Sequence, residues 1–249
     1  MNWPVTHFGK FMKFEYKLST VHSNIFVLEV DNLCDLGMIF VRAQEFYESA
    51  NDKFRGKEFT LLSYMDWYSK EYSEHGGFTY GGDFHGFNVP STAIKNCYII
   101  NTERTPYDEL FLNVCQTIAD LGVTRYYLLG VEHGDLATLE HEFAHALFFT
   151  DDKYRETMTR LVTLLPFQAD FFSFLQNEFE YAKNVHIDEA QAYMATGFSD
   201  DFSNAKEDRA KEYEPFTGPF KEVFQEWRKE ISSPQLLRVE TVDFFDNES

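Results

Sequence analysis

The stretch Leu139–Asp152 reads LEHEFAHALFFTDD. Two histidines, His141 and His145, stand four residues apart, and Glu142 follows the first directly. On a helix, residues four apart lie on one face, so both imidazoles project together and can grip one ion. Glu142 is turned about one hundred degrees away, near such an ion without binding it. This is the arrangement that metal-assisted hydrolysis needs. Neutral imidazoles hold the metal, the metal acidifies a water, and the adjacent carboxylate takes the proton.

The pattern H-E-x-x-H, here His141 to His145, resembles the metal motif of the zincin metallopeptidases. The resemblance rests on the region from about Arg125 to Gly197. It implies a Zn2+ cofactor, a peptide or protein substrate, a zinc-activated water as nucleophile and Glu142 as general base. It also implies an edge strand upstream of the motif helix for pairing with extended substrate, and Arg125–Val131 is where this sequence offers one.

Catalytic zinc usually takes three protein ligands. The metzincin branch needs a glycine and a histidine at the places where this chain has Phe148 and Asp151. The segment His186–Gly197, HIDEAQAYMATG, is instead similar to the second metal helix of gluzincins, which makes Glu189 the expected third ligand. Asp151 and Asp188 remain alternatives. Thermolysin-like members carry an aspartate four residues after the glutamate to orient a zinc histidine, and here that position is Tyr193. Tyr193 and, one turn before the glutamate, His186 are the candidates for stabilising the oxyanion. His133 precedes the motif helix and is a candidate for lining the cleft.

Those groups must be positioned by a fold that the patterning outlines. Strands are expected at Lys13–Thr20, Asn24–Val30, Asn96–Asn101 and Arg125–Val131. Helices are expected at Leu33–Ala50, within Phe59–Tyr72, and at Pro106–Leu121, followed by the motif helix to about Thr150. Further helices are expected at Tyr154–Leu165, Gln168–Tyr181, Ile187–Thr196, Ala205–Tyr213 and Phe220–Glu230. The motif helix offers Leu136, Leu139, Phe143, Ala146, Leu147 and Thr150 as its buried stripe. Gly76–Ser91, with five glycines, reads as a loop or bulged hairpin, a candidate lid or substrate wall. The acidic tail Asp243–Ser249 reads as frayed. The expected fold is α+β: a small mixed or antiparallel sheet in the N-terminal half and a mainly helical C-terminal half. It is expected as one zincin-like domain over 1–249, α+β to about 134 and helical with the metal site from about 135.

Composition bounds the rest. A net charge of −19 disfavours nucleic acid and anionic membranes as partners and fits a basic partner or substrate. No apolar run is long enough to span a membrane, and the N-terminus has no apolar signal core. Cys34, Cys97 and Cys115 are too few and too scattered for a disulfide framework, so a cytoplasmic location is expected. The competing reading is an acidic interaction protein, with a structural metal site or with none. The sequence does not specify an oligomeric state or a substrate.

Overall fold

The computed structural model describes residues 13–49, 51–73, 76–179, 181–198, 202, 208–229 and 234–243. The chain divides into two compact units, Met1–Asp135 with Pro234–Ser249, and Leu136–Ser233. The class is α+β.

The first unit is built on a five-stranded mixed sheet in the order β3-β4-β2-β1-β5. Strands β1 (Lys13–His22) and β2 (Ile25–Val30) form an antiparallel hairpin. Helix α1 (Leu33–Glu48) follows, started by Asn32, whose side chain accepts from the Asp35 N–H at 2.8 Å. Next come α2 (Leu61–Trp67), a π-helical turn at Tyr68–Tyr72, the short α3 (Tyr80–Asp83), β3 (Gly86–Pro90), α4 (Ser91–Ile100) and α5 (Pro106–Asp120). Strand β4 (Tyr127–Glu132) then lies parallel to β2 and antiparallel to β3. The long helical crossover between β2 and β4 is what lets those two strands run parallel.

Aromatic residues fill this unit, which accounts for much of the unusual Phe and Tyr content. Phe40 stacks on Phe87 and meets Phe111 edge-on beneath the sheet. Phe54, Phe59, Tyr64, Trp67, Tyr68 and Tyr80 form a second cluster of tilted and edge-to-face rings. A buried ion pair borders it. Arg42 donates from Nε and Nη2 to the two Asp108 oxygens at 2.8 and 3.0 Å, and from Nη1 to the Phe59 carbonyl at 3.0 Å. Asp108 also closes the capping box of α5 with Thr105.

Three expectations about this unit are corrected. Asn96–Asn101 is the end of helix α4 rather than a strand, because Ser91–Ile100 buries Ala93, Ile94 and Cys97 at helical spacing. The Gly76–Ser91 segment is not a loop throughout; it contains α3 and β3. Arg125–Val131 does supply a strand, but β4 is interior, flanked by β2 and β3, so its backbone is already paired on both sides. Beyond the mainly helical stretch expected of the C-terminal half, Gln235–Asp243 forms β5, which pairs antiparallel with β1 and returns the chain to the first unit.

The second unit is helical among the described residues. It comprises α6 (Leu136–Thr150), α7 (Asp152–Thr163), α8 (Gln168–Glu178), α9 (His186–Thr196), α10 (Arg209–Tyr213) and α11 (Gly218–Lys229). Helix α9 packs against α6, α7, α8 and α11. The close pairing of α6 with α9 is made by small residues: Ala144, Ala146, Ala190 and Ala192 are fully buried. Phe143 and Leu147 are buried as expected, but Leu136 is 70% exposed, so the buried stripe of α6 begins later than its sequence pattern predicts. Of the expected Ala205–Tyr213 helix, 205–207 lie outside the described residues, as do Glu230 of the last helix and 244–249 of the tail.

Candidate metal centre

Two helices bring the site together. Helix α6 carries His141 and His145, and α9 carries Glu189. One ligand atom from each of these three residues lies within 4.8 Å of the others. His145 and Glu189 are buried and His141 is partly so. Among the described residues this is the one group of three or more metal-ligating side chains so arranged.

The hydrogen bonds around the imidazoles decide which nitrogens are free. The Thr196 hydroxyl donates to the Ala192 carbonyl at 2.8 Å, so at 3.2 Å it accepts from His141 Nδ1–H. His145 Nδ1–H donates to Asp188 Oδ1 at 2.9 Å. Both Nδ1 atoms are therefore spent, and both Nε2 atoms face the gap between the helices. They lie 3.3 Å apart. Two ligands about 2.0–2.1 Å from a tetrahedral ion are separated by roughly 3.3–3.4 Å. Glu189 Oε2 is 3.8 Å from His145 Nε2, and this buried oxygen has no hydrogen-bond partner. The two imidazole Nε2 atoms and a carboxylate oxygen without a hydrogen-bond partner thus converge. A divalent cation of borderline softness fits that donor set.

The electrostatics agree with the geometry. His141 is held well below the ordinary imidazole value by its enclosed surroundings and by His145 beside it. Burial alone would lower His145 too, but the charges of Asp188 and Glu189, the Asp188 hydrogen bond and the charge of Glu142 raise it well above that value. Glu189 is pushed up to about 7, first by burial, against the pull of His145, with Asp188 and Glu142 adding to the rise. Three carboxylates, Asp188, Glu189 and Glu142, thus place negative charge around His145. Glu142 is itself buried, and its charge reaches both His145 and Glu189.

The other candidates separate cleanly. Asp188 lies outside the ligand cluster and orients His145 through its hydrogen bond to Nδ1. Asp188 is held in turn by Gln191, whose Nε2 donates to Asp188 Oδ1 at 3.0 Å and to the Ala144 carbonyl at 3.3 Å. The Gln191 oxygen accepts from Tyr154 of α7 at 2.9 Å. Asp151 lies outside the cluster: it is the N-cap of α7 and accepts from the Tyr154 N–H at 2.9 Å. His186 bonds through Nε2 to the Tyr181 carbonyl at 3.0 Å and rests on Phe172, apart from the ligand cluster. His133 belongs to the first unit, where it meets Lys17 and Glu29.

Tyr193 lies against the site. Its ring centroid is 4.6 Å from that of His141, and its hydroxyl is 3.3 Å from the hydroxyl of Tyr181. Tyr181 and Gln191 are the residues that sequence reasoning missed. Tyr181 also hydrogen-bonds Glu189, yet it precedes α9 in an irregular segment where no spacing rule marks it. Gln191 was findable in principle, since i,i+3 spacing puts it beside Asp188 on α9.

Compared with family models, curated proteins and solved structures, the chain matches none. Among the described residues, no helix is long and apolar enough to cross a membrane.

Proposed function

We propose that this protein is a zinc-dependent metallopeptidase of gluzincin-like type. The observation that carries the reading is the convergence of His141 Nε2, His145 Nε2 and the unpartnered Glu189 Oε2, with the two nitrogens 3.3 Å apart. When bound, the zinc supplies Lewis acidity, polarising the scissile carbonyl and lowering the pKa of a water. Glu142 accepts the proton of that water and passes it to the leaving amide nitrogen. Its burial beside the histidines suits that task, whereas a purely structural metal site has no use for it. Tyr193, with Tyr181 next to it, is the donor for the oxygen on which negative charge develops. The three cysteines are free, which supports a cytoplasmic setting.

The test begins with zinc per chain by elemental analysis on the native protein and on the His141→Ala/His145→Ala variant. About one zinc in the first and none in the second is expected for a three-ligand site. Glu142→Gln should keep the metal and lose about 10²–10⁴-fold of the cleavage rate on a peptide library. No zinc after reconstitution would overturn the metal centre. A zinc-loaded chain that cleaves no peptide, or that is indifferent to Glu142→Gln, would overturn the peptidase reading and leave a non-catalytic metal site.

A further inference from the structure

Strand β5 closes one edge of the sheet, and among the described residues no strand pairs with its outer side. It is nine residues long, QLLRVETVD, with neither proline nor lysine. Long exposed edges of this kind are templates for further pairing, and they are normally blunted by proline, lysine or brevity. Two of its aliphatic side chains are open to solvent, Leu236 at 56% and Val239 at 47% exposure. A bulge at Leu237 interrupts the register with β1 and leaves Arg238–Asp243 regular.

We propose that a second copy of this chain docks on this edge, β5 against β5 and antiparallel, about a two-fold axis at Val239. The register follows from symmetry and charge. Such an axis stands perpendicular to the sheet and keeps every side chain on its own face, so residues opposite each other must have numbers of the same parity. Centring the pair on Arg238 would set arginine against arginine, and centring it on Glu240 would set glutamate against glutamate. Centring it on Val239 sets Arg238 opposite Glu240 of the second copy, and Glu240 opposite its Arg238. The same register places Val239 opposite Val239 of the second copy. More distant registers shorten the overlap and leave these charges without opposites.

Within one chain Arg238 and Glu240 already pair at 2.5 Å on the face where Tyr16 donates to Glu240 at 2.7 Å. Docking would extend this into a row of alternating charge. The net charge of −19 on each copy opposes association, so the assembly belongs to physiological salt, where the Debye length is about 8 Å.

The test is molar mass by light scattering on the full chain, at tens of micromolar and physiological salt. The native protein should have twice the 29.2 kDa chain mass. Arg238→Glu should reduce it to the mass of one chain with an unchanged far-ultraviolet circular dichroism spectrum, and Arg238→Glu/Glu240→Arg should restore the dimer. A native protein of single-chain mass overturns the proposal, and so does a dimer indifferent to Arg238→Glu. If the single variant does not fold, the charge swap decides alone: folded and dimeric supports the pairing, folded and monomeric overturns it.

Discussion

His145 Nδ1–H donates to Asp188 Oδ1 at 2.9 Å, which fixes the ring with its Nε2 toward His141 and Glu189. The carboxylate that orients His145 stands just before Glu189 in the chain, and Gln191 holds it there. Partners of this kind fix the tautomer and strengthen the ligand. Asp188→Ala is therefore expected to weaken zinc affinity by about 10–100-fold, measured by competition with a chelator, while His145 remains in place. An unchanged affinity would remove Asp188 from the centre. A second residue, Asp108, makes a prediction about pH. Burial alone would raise its carboxyl, but Arg42 and Thr105 hold it below its ordinary value of 3.8. A carboxylate depressed in the folded state contributes stability above its unfolded pKa, and that contribution is lost as pH falls through the folded value. Asp108→Asn leaves the buried Arg42 with Glu103, at 3.1 Å, as its remaining carboxylate partner, at a cost of up to about 3–5 kcal/mol near neutrality. The gap between native and variant, read from urea midpoints, should narrow as pH falls below 3.8. A gap constant from pH 7 downward would show that the ion pair does not set it.

At the scale of elements, helices with capping signals and clear periodicity were legible, and short apolar runs were not. Pro106–Asp120 announces itself through Thr105, Pro106 and Asp108. NCYIIN has the composition of a strand, yet it continues a helix begun at Ser91, whose Ala93, Ile94 and Cys97 are buried at helical spacing where α4 packs on α1 and β3. The glycines of Gly76–Ser91 invite a reading as loop because nothing local shows what they approach. Gly81 lies so close to the start of α1 that an added Cβ would stand 2.4 Å from the Leu33 carbonyl oxygen and 2.7 Å from Cys34 Cα. Both obstacles are backbone, so Gly81→Ala should cost about 1–3 kcal/mol of unfolding free energy. A variant as stable as the native chain would mean that α3 can retreat without loss.

At the scale of the whole molecule, the chain's return through β5 is the feature that sequence order conceals. β5 covers the β1 edge of the sheet over nine residues and supplies Glu240 to the buried Tyr16. Ending the chain at Ser233 should lower Tm by roughly 5–10 °C, as a loss of about 2–3 kcal/mol implies for a chain of this size. An unaltered Tm would show that β5 is dispensable to the sheet.

What the sequence determined by itself is the chemistry that local geometry dictates. Two histidines at helical spacing must share a face, a glutamate between them must sit beside that face, and a later helix of small residues with a glutamate in its first turn can approach it closely. The 3.6-residue period suffices for His141 and His145 with Glu142 beside them, whereas Glu189 was singled out by the resemblance of its segment to the second metal helix of gluzincins, with Asp151 and Asp188 open beside it. The tertiary structure decided everything that depends on partners distant in sequence. It made Asp188 the orienting group and Asp151 a helix cap, and it brought Tyr181 beside Glu189. It also enclosed β4 between two strands and carried residues 235–243 back to β1. A carboxylate or a strand has the same local signature in either role. Which role it plays depends on which hydrogen-bond donors and which strand edges the fold brings within reach.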